Sequence, residues 1–387
     1  MSGMNINEIR ETILHVLNNN DYLSKRGKKK TTLCIEGPSG IGKTSIVEQI
    51  AAEHNLHFVK KNLGEIEETS ELVGFPIREF EMENNSWVNE KGIEFVKDIK
   101  LTGRTRTSYC KPSWVPQEAT ENGGILLLDD FSRADPRLIQ ATMELVDRGT
   151  YGGWSLPQNW TVLLSTNPDN SEYFVSSMDA AQKTRFIRLE AKFDLQTWAK
   201  WAEREEIDSR CINFLLLNPE MIKDNPDNPV NVRLSTDFFN SISSLPTFKD
   251  HYSLINRLGK GSVGSEFTAT FISFIEGNLD KIPSPSDILD EQDGKKAIAR
   301  INQACGSKDT ESYNQAIASL IASRLINNIE KRVNEKTITD DVINRTVEIL
   351  RADIFTKDIA YHLFKTCNHI TNSSIYTSHI DLIKKFV

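Results

Sequence analysis

The sequence lacks any apolar run that approaches the length of a membrane span, and its first twenty residues scatter charges where a signal peptide would keep an unbroken apolar core. A soluble, cytoplasmic protein with no membrane partner is therefore the expectation. Cysteine is scarce: Cys34, Cys110, Cys211, Cys305 and Cys367 are the only five in 387 residues, and none forms a C-x-x-C pair. An odd, irregular set excludes a disulfide or zinc framework and fits reduced thiols. Positive charge is in deficit, with 46 Lys and Arg against 54 Asp and Glu for a net charge of −8. The surface as a whole is thus no nucleic-acid footprint, although a local basic groove remains open. Repeats at solenoid periods are absent. Present in ordinary proportion is hydrophobic content, 39%, enough to build two or three packed units.

Ile6, Ile9, Ile13, Val16 and Leu17 recur at helical spacing, so the chain is expected to open with an amphipathic helix ended by Asn18, Asn19 and Asn20. The basic run Lys25 to Lys30 could touch a phosphate backbone; a solvated loop into the first strand is the preferred reading. A buried strand is then expected at Thr31 to Glu36, with further strand candidates at His57 to Lys61, Gly124 to Leu128 and Trp160 to Ser165, and a helix from Lys43 to His54. Short apolar strands alternating with helices predict an α/β fold with a parallel sheet covered on both faces. The turn-rich stretch Gly74 to Tyr109 breaks this rhythm and reads as a β-hairpin insertion. Beyond about Phe193 the patterns turn helical, as in Leu195 to Arg204, Ser209 to Leu217 and Ser312 to Val333, with breaks at Asn218 to Asn231 and Lys281 to Gln292. The expected division is 1–194 for the α/β domain with its N-terminal helix, 195–290 for a helical lid, and 291–387 for a mostly helical C-terminal region.

The run Gly37-Pro38-Ser39-Gly40-Ile41-Gly42-Lys43-Thr44 fits G-x-x-x-x-G-K-[ST] and stands between an apolar strand and an amphipathic helix. Its glycines let backbone N–H groups turn toward phosphate oxygens, and the helix N-terminus adds its dipole. Lys43 supplies a charge to the β/γ-phosphates and the Thr44 hydroxyl is suited to Mg²⁺; with the adjoining Ser45 these residues form the nucleotide-binding set for ATP. Ile125 to Leu128 run into Asp129 and Asp130, a Walker B pattern: Asp129 would hold the Mg²⁺ shell and Asp130 would polarise an attacking water. The strand Thr161 to Ser165 leads into Thr166-Asn167-Pro168, where Asn167 can orient that water or touch the γ-phosphate, although alone an Asn before Pro is a turn residue.

The order of these motifs resembles the AAA+ superfamily and, more narrowly, its MoxR-like ATPases. Carrying the resemblance, besides Gly37 to Thr44, are Leu72 to Pro76, Lys111 to Pro116, Ile125 to Pro136, Ser165 to Pro168 and Met178 to Phe186, with weaker echoes in Trp198 to Ala202 and Gly261 to Phe274. It implies the fold of an AAA+ P-loop core with β-hairpin insertions, a helical lid and a helical C-terminal region. It also implies a homo-oligomeric ring, usually a hexamer, with ATP bound between subunits, and a protein client remodelled by a chaperone-like action, with a von Willebrand factor A domain protein as a possible partner. Arg185 matches the arginine-finger position, with Arg188 as the fallback; an Arg supplied by a neighbour neutralises charge on the transferred phosphoryl group. Arg233 lies where these proteins carry a sensor-2 arginine, and a structural helix-start role stands beside that reading. The second Walker B carboxylate is usually Glu in this superfamily; Asp130 is one methylene shorter, which puts fast hydrolysis in question.

Two other readings stay open. A nucleic-acid motor or loader would use the basic stretch Gly103 to Lys111, with Arg104 and Arg106. A nucleotide-gated assembly module would bind through Asp130 with little turnover. The Gly-rich stretch Asp147 to Trp154 is a second candidate working surface. Gly259 to Gly264 fits G-x-G-x-x-G but follows no strand, so it reads as a loop between helices rather than a dinucleotide site. Cys367-Asn368-His369 and the tryptophans Trp87, Trp114, Trp154 and Trp160 read as packing residues.

Overall fold

The computed structural model describes residues 3–93, 100–116, 122–151, 154–168, 178–222 and 231–372. The chain divides into two compact units, Met1–Phe193 and Asp194–Val387.

The first unit contains strands β1 (Leu33–Glu36), β2 (His57–Asn62), β3 (Phe75–Met82), β4 (Trp87–Asn89), β5 (Leu101–Cys110), β6 (Gly124–Asp129), β7 (Thr150–Tyr151), β8 (Trp154–Ser155), β9 (Trp160–Thr166) and β10 (Ile187–Glu190). Its helices are α1 (Ile6–Ser24), α2 (Lys43–Glu53), α3 (Thr69–Val73), α4 (Glu90–Ile93), α5 (Pro136–Arg148) and α6 (Ala180–Lys183). A five-stranded parallel sheet in the order β10-β1-β9-β6-β2 forms the centre. Alternate side chains of its buried strands serve two cores. Leu33, Ile35, Ile125, Leu127 and Leu163 pack with α1 and α2 through Ile9, Ile13, Ile46 and Ile50. Cys34, Leu126, Leu128, Val162 and Leu164 pack on the other face with α5 through Leu138 and Met143. Burial on both faces is why these strands are written as unbroken apolar runs.

Three local expectations are corrected. The sheet has a fifth member, β10, whose Leu189 is buried while Ile187, Arg188 and Glu190 are exposed; it hydrogen-bonds along β1 as an edge strand and so carries no apolar run. Helix α1 continues through the three asparagines to Ser24. Asn20 is buried there because its Nδ2 donates to Thr31 O at 2.8 Å and its Oδ1 accepts from Thr31 N at 2.7 Å. The third correction concerns Gly259 to Gly264 and belongs to the second unit.

The insertion is an antiparallel sheet, ordered β4-β3-β5. At its neck Gly74 has φ +95°, and a Cβ there would lie 1.9 Å from Cys110 O, so only glycine lets the two arms close. Trp114 donates its indole N–H to Glu71 O at 2.9 Å and packs edge-on against Trp154 of β8, with ring centroids 5.9 Å apart. This contact joins the neck of the insertion to the β7-β8 hairpin. Gly152 and Gly153, part of the Gly-rich stretch singled out above, lie outside the described residues.

The second unit comprises α7 (Leu195–Arg204), α8 (Ser209–Leu217), α9 (Val232–Ile242), α10 (Tyr252–Ser262), α11 (Gly264–Glu276), α12 (Pro285–Leu289), α13 (Gly294–Cys305), α14 (Gln315–Asn334), α15 (Asp340–Arg351) and α16 (Lys357–Ile370), with no strand among its described residues. Phe214 meets Phe239, Phe267, Phe271 and Phe274 edge-on in one cluster. A second core gathers around α14 and takes in Ile288, Leu289, Ile301, Ile321, Leu325, Leu350 and Phe364. Gly259 to Ser262 finish α10 and Gly264 begins α11, so the G-x-G-x-x-G segment is helical rather than a loop. A Cβ on Gly259 would stand 2.5 Å from Thr268 Oγ1, and the glycine serves this close helix crossing. The break at Lys281 to Gln292 holds the short helix α12, which Ser284 caps by accepting from Asp287 N at 3.1 Å.

Candidate nucleotide site

In a parallel sheet, ligand-binding loops gather beyond the carboxyl ends of the strands. Strands β1, β9 and β6 are neighbours, and from their carboxyl ends come the loop Gly37 to Gly42, Asn167, and the pair Asp129 and Asp130.

Gly40 and Gly42 take φ of +81° and +95°, and Gly42 is the N-cap of α2. These left-handed turns favour glycine and set the loop's backbone at the positive end of the helix dipole. Gly37 is a close-approach site: a Cβ would fall 2.7 Å from Ala191 O and 2.9 Å from Ile41 Cδ1. Its N–H donates to Thr166 O at 3.2 Å, which fixes the start of the loop to the end of β9. Pro38, Ser39, Gly40 and Ile41 are half-buried, and Ser45 is exposed in the first turn of α2.

Lys43 is buried in the first turn of α2, and its Nζ donates to Gly37 O and Pro38 O, both at 2.7 Å, and to Asn167 Oδ1 at 3.2 Å. Beside it, Thr44 Oγ1 donates to Asp129 Oδ2 at 2.9 Å, while the other oxygen of Asp129 accepts from Asp130 N at 3.1 Å. Two hard oxygen ligands, a hydroxyl and a carboxylate, thus face each other beside a loop shaped for phosphate, a donor set that suits Mg²⁺ with its preference for carboxylate, water and phosphate oxygens. Asp130 takes a left-handed conformation, φ +50° and ψ 37°, and Asn167 Nδ2 reaches its Oδ1 at 3.5 Å. The positive φ turns the chain sharply after β6, so successive carboxylates serve different neighbours.

Lys43, Thr44, Asp129, Asp130 and Asn167 are therefore brought together by the fold. Arg185 follows α6, half-buried, with Nη1 donating to Ala181 O at 3.4 Å; it also contributes to the field that holds the Asp147 carboxyl below its ordinary range, where the hydrogen bond from Lys29 dominates. Arg188 is bound within the chain: its Nε donates to Glu36 Oε2 at 2.8 Å, and this bond raises the guanidinium above its ordinary pKa. Arg233 is exposed in the first turn of α9, in the second unit, behind the Asn231 cap, whose Oδ1 accepts from Leu234 N at 3.0 Å. A cation at the positive end of a helix gains nothing from the dipole.

The Glu36–Arg188 pair escaped the sequence reading. Glu36 immediately precedes Gly37 and sits opposite Glu190 across the β1–β10 ladder, so Arg188 offsets two facing carboxylates. The legible signal was the alternation of Ile187 and Leu189 with charged residues. The basic stretch in β5 is likewise partly neutralised by its neighbours: Arg106 Nε donates to Glu79 Oε2 at 2.7 Å and its guanidinium lies 4.4 Å from the Trp87 ring centre, while Arg104 approaches Glu81 at 3.7 Å.

Residues 32–186 match the family described as AAA domain (dynein-related subfamily), a match over less than half of the chain. With the P-loop fold already seen, this segment is similar to AAA domains. Over 73 residues the chain is 38% identical to a Lon protease of Ureaplasma parvum serovar 3 and 40% identical to Lon protease 2 of Borreliella burgdorferi, stretches that make up 18% and 19% of this chain. They are 8% and 9% of those relatives, so the chain spans less than a tenth of the length of either. Among solved structures, the Thermotoga maritima RuvB Holliday junction branch migration motor is similar at 11% identity and a TM-score of 0.35, over 91% of this chain and 94% of that one. A point mutant of the same RuvB gives 11% identity and a TM-score of 0.37 over 92% and 94%. Scores this low carry no argument about activity or partners. Among the described residues no helix is long and apolar enough to cross a membrane.

Proposed function

We propose that the chain is a Mg²⁺-dependent ATPase of the MoxR-like branch that works as a hexameric ring and remodels a protein partner. The observation that carries the ATPase part is the convergence of Lys43, Thr44, Asp129, Asp130 and Asn167 at the ends of three adjacent parallel strands. Thr44 and Asp129 would hold Mg²⁺, which supplies charge neutralisation at the phosphates. The glycine loop binds the phosphate chain through backbone N–H groups, and Lys43 leaves its loop carbonyls for the β/γ-phosphate oxygens. Asn167 positions the water and Asp130 accepts its proton. Arg185 completes a neighbouring subunit's site, a role that Arg188, held by Glu36, is less free to play. Remodelling of a protein client, with a von Willebrand factor A domain protein as the candidate, is proposed from the resemblance to the MoxR-like group.

Phosphate release from ATP by the purified chain, with and without Mg²⁺, tests the proposal, together with its mass in the presence of ATP. Metal-dependent turnover by an oligomer is the expected result; a monomer that neither binds nor hydrolyses ATP would remove the reading.

A further inference from the structure

Strand β5 is ten residues long, and every residue but Ser108 is exposed. It pairs with β3 on one side and, among the described residues, with no strand on the other. A long edge strand without proline offers a row of main-chain donors and acceptors to another extended chain. Its sequence from Lys100 to Lys111 carries Lys100, Arg104, Arg106 and Lys111 and no carboxylate. Side chains two apart share a face, so Arg104 and Arg106 line one face of the edge while Thr105, Thr107 and Tyr109 line the other. On that second face Tyr109 stands opposite Pro76 at the neck, and Tyr109 and Leu101, at the two ends of the strand, are both among the exposed large apolar residues. An open cleft of about 390 Å³ runs along the middle of the β3–β5 pair, lined by Pro76, Ile77, Arg78, Thr105, Arg106 and Thr107.

We infer that the edge of β5 docks an extended, acidic polypeptide segment by strand addition, with carboxylates at alternate positions facing Arg104 and Arg106 and apolar residues facing Tyr109 and the threonines. This rests on the reading of the chain as a remodeller of protein partners and names how such a partner is held. Charge chooses the occupant: Arg104 is 79% exposed and meets Glu81 only at 3.7 Å, so an incoming strand with a carboxylate opposite it gains a cross-strand pair. A nucleic acid would leave the strand's main-chain edge unmatched.

The test uses the full chain and a fluorescein-labelled octapeptide of alternating Glu and Val, followed by anisotropy at low salt. Controls are the alternating Lys and Val octapeptide, the Glu and Val peptide N-methylated at every second residue, and a twenty-nucleotide oligothymidylate. The Glu peptide is expected to bind at least tenfold more tightly than the Lys peptide and to lose most of that affinity on N-methylation. Arg104→Glu, at an exposed position, should weaken it at least fivefold, and Arg104→Glu with Arg106→Glu should invert the preference toward the Lys peptide. Equal binding of both peptides, indifference to N-methylation or to Arg104→Glu, or preferential binding of the oligothymidylate would overturn the inference. Phosphate release is recorded on the same samples without peptide, so a chain that hydrolyses ATP and ignores the peptide fails only here, whereas one that binds the peptide without turnover fails only the ATPase reading.

Discussion

Lys43 donates to Asn167 Oδ1 at 3.2 Å, a bond that ties the loop after β1 to the end of β9 across a register in which Glu36 faces Thr166. The same lysine holds two carbonyls of its own loop. Removing it takes away both the charge for the phosphates and the internal brace of the loop. Lys43→Ala should therefore reduce kcat/KM for ATP by roughly 10²-fold or more, the scale for losing one preorganised electrostatic contact. Steady-state phosphate release, with circular dichroism to verify the fold, measures this; a variant within threefold of the native chain would contradict the role of Lys43.

Asp130 has a side chain one methylene shorter than glutamate, and its neighbour Asn167 reaches it only at 3.5 Å. Asp130→Asn keeps the shape and removes the proton acceptor, so hydrolysis should fall about 10²- to 10⁴-fold, the range for general-base loss, while ATP binding persists. Asp130→Glu advances the carboxylate by one methylene, and turnover should change severalfold, because near-attack geometry responds to shifts of about an ångström. Binding measured by a fluorescent ATP analogue, beside single-turnover hydrolysis, separates the two effects. If Asp130→Asn hydrolyses as the native chain does, the chain is better read as a nucleotide-gated assembly module.

Much of this site was legible because each motif is local. Gly37 to Thr44 and Asp129-Asp130 stand at strand ends that the apolar runs announce to within a residue or two. Their distances were not legible, because those depend on the parallel order β1, β9, β6, which neighbouring residues in the chain do not encode. Strand β10 escaped notice because an edge strand buries only Leu189, and the end of α1 was misplaced because Asn20 finds both of its partners on Thr31, eleven residues away. Glycine in Gly259 to Gly264 suggested a loop, yet at Gly259 it marks helix packing against Thr268.

Arg324 is nearly buried, with 3% of its side chain exposed, and binds Glu203 Oε1 at 2.6 Å, Ser209 Oγ at 2.7 Å and Asn213 Oδ1 at 2.7 Å, joining α14 to α7 and α8. Arg324→Met would leave the Glu203 carboxylate buried without its cation, at a cost of about 3–5 kcal/mol. Thermal unfolding of the second unit should drop by about 10 °C. Adding Glu203→Leu to Arg324→Met should recover part of the loss; a single mutant as stable as the native chain would show that the pair contributes no net stability.

Burial pushes the thiols of Cys34 and Cys367 from their usual 9.0 up to about 12, and it raises Cys211 and Cys305 as well, whereas Cys110 is exposed. One of the five thiols, Cys110, should therefore react with Ellman's reagent in the native protein at pH 8, and the rest only after denaturation. The unfolded chain releases these protons near 9 and the folded chain near 12, so the folded state binds more protons between those values. Stability is then complete below about pH 9 and declines as pH rises toward 12. Denaturant midpoints flat from pH 8 to 11 would contradict this, as would rapid native reaction of two or more thiols.

The two candidate finger arginines differ in what already holds them. Arg188 donates to Glu36 beside the first glycine of the loop, while among the described residues Arg185 makes one long bond, to a main-chain carbonyl, and as a finger its charge would act on a second molecule. If the finger acts between subunits, Arg185→Ala should leave ATP affinity within a few-fold and lower hydrolysis by about 10³-fold or more. Arg188→Ala should instead act on the strand itself, uncovering the opposition of Glu36 and Glu190 and lowering the melting temperature by a few degrees with hydrolysis retained. Mixing decides whether the action is in trans: Arg185→Ala chains combined with Asp130→Asn chains should recover turnover, because native fingers on the second then serve intact sites on the first. No recovery on mixing, or normal hydrolysis by Arg185→Ala alone, would rule out Arg185 as a finger supplied to a neighbour.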